Sequence, residues 1–141
     1  MLADDIATPE VLTPNDLWRR YVDAVAEAAD AAGADAVAEV TDLESGTVEA
    51  LFAGEPVDLT LADAAAILAL RDGSDPDREL EAVRDRLLFD MSTAILDVEA
   101  LAADLALDLD PQEVQRRVEG REPMSLEEYA HIRLRIARGL R

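Results

Sequence analysis

Residues 13–33 read TPNDLWRRYVDAVAEAADAAG, and their punctuation is that of a helix with both ends marked. Thr13 is a cap residue, and Pro14 stands at the first helical position, where a missing N–H leaves no bond unmade. Leu17, Tyr21, Val22, Val25, Ala28, Ala29 and Ala32 then recur at three- and four-residue spacing, which lays them on one face. Gly33 is the stop, so the stretch predicts a helix of about five turns. Similar signals recur down the chain. Thr60 with Asp63, Asp110 with Glu113 and Ser125 with Glu128 each place an acid three residues after a cap residue, the capping-box spacing, and Asp75 precedes Pro76. VDLT at 57–60 is the nearest thing to a strand, and it is short. The reading is all-α with seven or eight helices: 14–32, 35–41, 45–53, 60–71, 76–98, 99–107, 111–119 and 125–138.

The pattern occurs twice. Sliding the chain by 66 residues sets Leu17 on Val83, Tyr21 on Leu87, Val22 on Leu88, Val25 on Met91, Ala29 on Ile95 and Ala32 on Val98. Val48 meets Val114, Phe52 meets Val118 and Gly54 meets Gly120; after one deleted residue, LTLADAAAI at 59–67 falls on MSLEEYAHI at 124–132. This predicts an internal duplication: a flexible segment 1–12, a first four-helix unit 13–72 and a second 75–140, able to form one compact domain. Gly33 separates the first two helices of the first unit, whereas Glu99 fills that place in the second, so the matching helices are expected to run together over about thirty residues, near 45 Å. Trp18, Tyr21, Phe52, Phe89 and Tyr129 are expected to supply most of the core's bulk.

Composition narrows habitat and chemistry. Of 141 residues 32 are acids and 13 are bases, a formal charge of -19, and every base is arginine. Half the residues are hydrophobic and recur at helical spacing, which excludes disorder as the meaning of the acidity. The lysine-free, acidic, alanine-rich composition resembles the cytoplasmic proteins of haloarchaea, where screening at about 1 M salt shortens the Debye length to roughly 3 Å, and the chain resembles an uncharacterised conserved haloarchaeal family. No secretory leader or membrane-spanning run is legible, so the expectation is a cytoplasmic protein. Without cysteine there is neither disulfide nor thiolate chemistry, and without lysine no phosphate loop. His131 is the only histidine, with Glu127 one turn before it, and two ligands do not make a metal site. The sequence therefore predicts no enzyme, no cofactor and no metal.

AEVTDLESGTVEALFAGEP, residues 38–56, resembles the helix-turn-helix of the phage-repressor and Xre-type (lambda-repressor-like) DNA-binding proteins. Ala38, Asp42, Leu43, Val48, Leu51 and Gly54 stand where that family has a small residue on its first helix, a turn, two buried aliphatics and a closing glycine. The turn departs from the family, which prefers glycine there. In the second unit Asp104 replaces Ala38, and Arg117 replaces Leu51, with Val118 able to take over its buried contact. The resemblance implies that the second helix of each pair meets DNA in the major groove. Ser45, Gly46, Thr47 and Ala50 offer no bidentate base contact, but Gln112, Gln115, Arg116 and Arg121 do, as glutamine on adenine or arginine on guanine.

A plainer reading of the same residues stands beside this one. Arg116 and Arg117 occupy the last turns of a helix, where cations complement the macrodipole, and Glu113 precedes Arg117 at salt-bridge spacing. The expectation is thus a DNA-binding or transcription-regulator-like protein acting on duplex DNA. The alternative is a protein–protein interaction or homodimerisation module, for which the uncharged exposed face of the 45–53 helix speaks.

Overall fold

A computed structural model describes residues 12–140. The expected flexible segment 1–12 lies, apart from Leu12, outside the described residues. Eight helices follow one another: α1 (Pro14–Ala32), α2 (Ala34–Val40), α3 (Ser45–Phe52), α4 (Leu61–Asp72), α5 (Pro76–Thr93), α6 (Val98–Asp104), α7 (Pro111–Val118) and α8 (Leu126–Gly139). The fold is all-α, as the periodicity predicts. Helix lengths of 19, 7, 8 and 12 residues are followed by 18, 7, 8 and 14.

The caps are in place. Thr13 Oγ1 accepts from the Asp16 amide at 3.1 Å and Thr60 Oγ1 from the Asp63 amide at 3.0 Å. Reciprocal capping boxes form at Asp110 with Glu113 and at Ser125 with Glu128. At Thr60 only one of the two bonds forms, because aspartate is a methylene shorter than the glutamate that reaches back elsewhere.

The expected continuous helix through residue 99 does not form. α5 ends at Thr93, and the chain turns through Ile95 at φ 55° before Asp97 caps α6 by accepting from the Ala100 amide at 2.8 Å. The closure is a paired turn: the Ile95 amide donates to Ser92 O at 3.1 Å and the Leu96 amide to Met91 O at 2.9 Å. The same two bonds close α3 at Gly54 (φ 76°) and α7 at Gly120 (φ 78°). Glycine suits this left-handed position because it has no Cβ to clash. Ile95 is the described non-glycine residue held there, so no glycine signal marked the break.

One hydrophobic cluster draws on every helix: Leu17, Tyr21 and Val25 of α1, Val37 of α2, Leu51 of α3, Ile67 of α4, Val83 and Leu87 of α5, Leu101 of α6, Val114 and Val118 of α7, and Ile132 of α8. The Tyr21 and Tyr129 rings lie 5.3 Å apart in a tilted pair. Trp18 and Phe52 are half-buried against this core, but Phe89, also expected inside, is 67% exposed.

The two groups of four helices are interlocked. α1 packs most heavily on α8, and α5 on α4. Between them Thr60 and Ser125 form an antiparallel bridge, in which the Leu61 amide donates to Met124 O and the Leu126 amide to Leu59 O, each at 2.7 Å. Exchanging 59–61 with 124–126, the register in which the sequence aligns them, turns one bond into the other. Buried backbone groups left by the helix caps are satisfied in this way at the centre of the molecule.

Candidate functional site

α7 begins with Pro111 in a capping box, which leaves its first turn pointing outward with Gln112 exposed. The remaining predicted reading residues are each held by a neighbour. Gln115 Nε2 donates to Glu119 Oε1 at 3.0 Å, and Arg121 pairs with the other oxygen of Glu119. The Gln115 amide first, then Arg121, holds the Glu119 carboxyl below the usual carboxylate range. Arg116 Nε lies 2.7 Å from Glu122 Oε1. Arg117 faces inward, its side chain 16% exposed, with Nε 3.1 Å from Glu128 Oε1 and Nη1 3.2 Å from Glu122 Oε2. Val118 is buried, as Leu51 is in α3.

The expected Glu113–Arg117 salt bridge is replaced. The Glu113 carboxylate accepts from the Asp110 amide at 3.3 Å, and Arg117 Nη1 instead donates to the Glu113 carbonyl at 3.2 Å. The structure thus forms two side-chain groups, Gln115 and Arg121 on Glu119, and Arg116 and Arg117 on Glu122 and Glu128, and leaves Gln112 outside both. Gly120 completes the corner by close approach: a Cβ there would stand 2.7 Å from Arg84 Cζ. The Arg84 guanidinium makes no ion pair among the described residues.

In the first unit Leu43 is half-buried, Val48 and Leu51 are buried, and Gly54 closes α3. Ala38, expected at a close helix crossing, is exposed, and its predecessor Val37 is the buried residue of α2. Asp104, which aligns with Ala38, is likewise exposed and receives Arg135 Nη2 at 2.8 Å. The outer face of α3 carries Ser45 and Gly46 but also the charged Glu49, so it is not the uncharged face expected.

His131 is half-buried in a crevice of about 150 Å³ with Pro14, Asp104, Leu105 and Arg135. Burial lowers its pKa, and the Glu127 charge opposes that shift. A wider cleft of about 420 Å³ runs along the start of α5, lined by Ser74, Asp75, Arg78, Glu79 and Ala82. Glu79 is buried there and accepts from Ser74 Oγ at 3.2 Å. Asp90, also buried, takes Arg86 Nε at 3.1 Å and stands 3.8 Å from Arg133 Nη1, which ties α5 to α8. Among the described residues no three His, Asp or Glu side chains gather to hold a metal ion.

The feature that sequence reasoning missed lies at the other end of α5. Leu88 is 42% exposed, Phe89 67% and Ile95 91%. A signal for Phe89 was present: Val83, Leu87 and Met91 recur every four residues and are buried, and at 100° per residue Phe89 stands about 160° from that stripe. Ile95 had no such signal, because its exposure follows from a helix end without glycine.

Among the described residues the geometry defines eight interlocked helices with paired short ones, with Leu88, Phe89 and Ile95 exposed at the end of α5 and Val40 and Leu140 exposed elsewhere, and no helix among them is long and apolar enough to cross a membrane. The chain belongs to a family of unknown function, DUF5791, whose model matches residues 17–139. No curated protein and no solved structure matches it.

Proposed function

We propose that this is a non-enzymatic protein-interaction module of a molar-salt, haloarchaeal cytoplasm, and that its binding surface is the end of α5 with the turn that follows it. One observation carries the reading: Leu88, Phe89 and Ile95 are exposed together on a protein that buries its other large apolar residues almost throughout. Contiguous exposed apolar groups mark interaction sites more than isolated ones do. A β-branched residue held at positive φ with its side chain in solvent adds to this, since such strain persists where a presented side chain has a use. The interlocked helices and the reciprocal bridge support an origin by duplication, which leaves the second unit free to depart from the first. Affinity capture from the native lysate in multimolar KCl, comparing the unchanged chain with Phe89→Asp, tests the reading. A partner retained by the first and lost by the second is the expected result.

Duplex DNA is the second reading. Gln112 is exposed on the first turn of α7, and Arg84 adds a cation without an acid partner beside Gly120. Against it, the glutamates that hold Arg116, Arg117 and Arg121 compete with phosphates for the same donors. Selection from a random duplex pool in multimolar KCl, with the Gln112→Ala, Arg116→Ala double variant as control, decides the matter. An enriched motif that the double variant loses would carry the DNA reading.

A further inference from the structure

Resting on the interaction reading above, we infer that the occupant of the α5 patch is a second copy of this chain, packed about a two-fold axis that passes near Phe89. Three observations lead there.

The first is a missing cover. In the alignment of the two units Val22 corresponds to Leu88 and Ala29 to Ile95, and Val22 and Ala29 are buried. α2 and α3 both pack against α1. On α5 only α7 takes a comparable place, because the turn at Ile95 sends α6 away to pack on α7 and α8. At these two positions the apolar side chain that is covered on α1 is therefore left exposed at the end of α5.

The second is charge. Two copies of a chain with a formal charge of -19 repel each other, so an isologous contact needs a locally neutral face. Residues 82–96 supply it, with Arg84 and Arg86 balanced by Asp85 and Asp90, whereas the corresponding residues 16–30 hold four acids and two arginines. The neutral stretch is the one that carries Leu88, Phe89 and Ile95.

The third is register. An antiparallel crossing of two α5 helices centred on Phe89 sets Asp85 opposite Thr93 and Arg86 opposite Ser92. Within the helical stretch 85–93 no carboxylate meets a carboxylate, and the two phenyl rings meet at the axis, where a central, desolvated aromatic anchor contributes most. Other acidic proteins would meet the same neutral face without this self-matching register.

The absence of cysteine makes the test direct. The full chain in 2 M KCl, followed by sedimentation equilibrium, is expected to show the mass of two chains. Phe89→Asp is expected to raise the dimer dissociation constant at least roughly 100-fold, in line with loss of a central aromatic anchor, while circular dichroism shows its helices intact. Phe89→Leu is expected to remain dimeric. Phe89→Cys keeps a small apolar side chain on the axis and should join two copies on mild oxidation, faster than Glu49→Cys at an exposed position elsewhere. A monomer at every concentration, with no preference between the two cysteine positions, overturns the second-copy proposal. Should the lysate capture still recover a partner that Phe89→Asp loses, the interaction reading survives that result; should it recover none, both fall.

Discussion

α1 and α5 begin alike, with a cap residue and a proline, and end differently. α1 buries a wide stripe of Leu17, Tyr21, Val22, Val25, Ala28 and Ala29, all of it apolar. α5 buries a narrower one, Val83, Leu87 and Met91, and adds two acids, Glu79 and Asp90. Where α1 has the half-buried Ala24, α5 has Asp90 between Arg86 and Arg133. The same helical unit is therefore held from outside by apolar cover in one half and by buried charge in the other. A width of apolar face that is spent on the core in α1 is left in solvent in α5. The difference lies in a few positions: Asp90 stands where α1 has Ala24, and Leu88 and Ile95 are exposed where Val22 and Ala29 are buried.

The largest test of this contrast is Asp90→Ala, which strands Arg133 in the core without its carboxylate. Breaking a buried pair from one side costs about 3–5 kcal/mol, and chemical denaturation should show a loss in that range. Ala24→Ser, at the corresponding place in α1, should change stability by less than about 1 kcal/mol. Equal losses would erase the distinction between the two helices.

Next comes the corresponding pair Leu51 and Arg117. Leu51→Ala removes a fully buried side chain and should cost about 2–5 kcal/mol. Arg117→Leu replaces an ion-paired side chain by an apolar one beside the already buried Val118, and should lie within about 1 kcal/mol of the unchanged protein. A severe loss for Arg117→Leu would mean that the glutamate network, rather than the Val118 contact, holds α7.

Ile95→Gly comes third and has the opposite sign. It relieves a left-handed conformation and removes a side chain that makes almost no internal contact, so it should stabilise the monomer by about 1 kcal/mol. The measurement belongs at low protein concentration, where association does not contribute. Destabilisation would show that the Ile95 side chain packs internally.

The smallest effect is that of His131. Its pKa is lowered in the fold, so the unfolded chain takes up the proton first as pH falls. Its stability contribution is present above about pH 6.5 and is lost as pH falls below that value. His131→Gln should slightly flatten the thermal stability profile just below about pH 6.5, the effect staying small because the ring is partly solvated.

Most helices were legible because their ends carry local chemistry. Thr13, Thr60, Asp75, Asp110 and Ser125 announce five of the eight described starts, and Gly33, Gly54 and Gly120 three of the ends. Ile95 broke the rule and misplaced the α5–α6 boundary, since no propensity favours a β-branched residue at positive φ. The arginines of α7 were legible as a cluster, but their partners were not: Glu128 lies eleven residues from Arg117, and only the fold brings the two together. Phe89 was assigned to the core by residue type, where its angular position on the helix pointed away from it.

The bridge between Leu59–Leu61 and Met124–Leu126, together with the packing of α1 on α8, bears on how the chain is made. A ribosome releases α1 first, and its broad apolar stripe then waits for a helix that begins roughly ninety residues later. At synthesis rates of about 5–20 residues per second, this leaves the stripe without its principal cover for several seconds. α2, α3 and α4 can cover part of the stripe in that interval, and α8 is the last helix to close over it. Newborn chains need protection over that interval, and the second half of the molecule acts as the last component of the first.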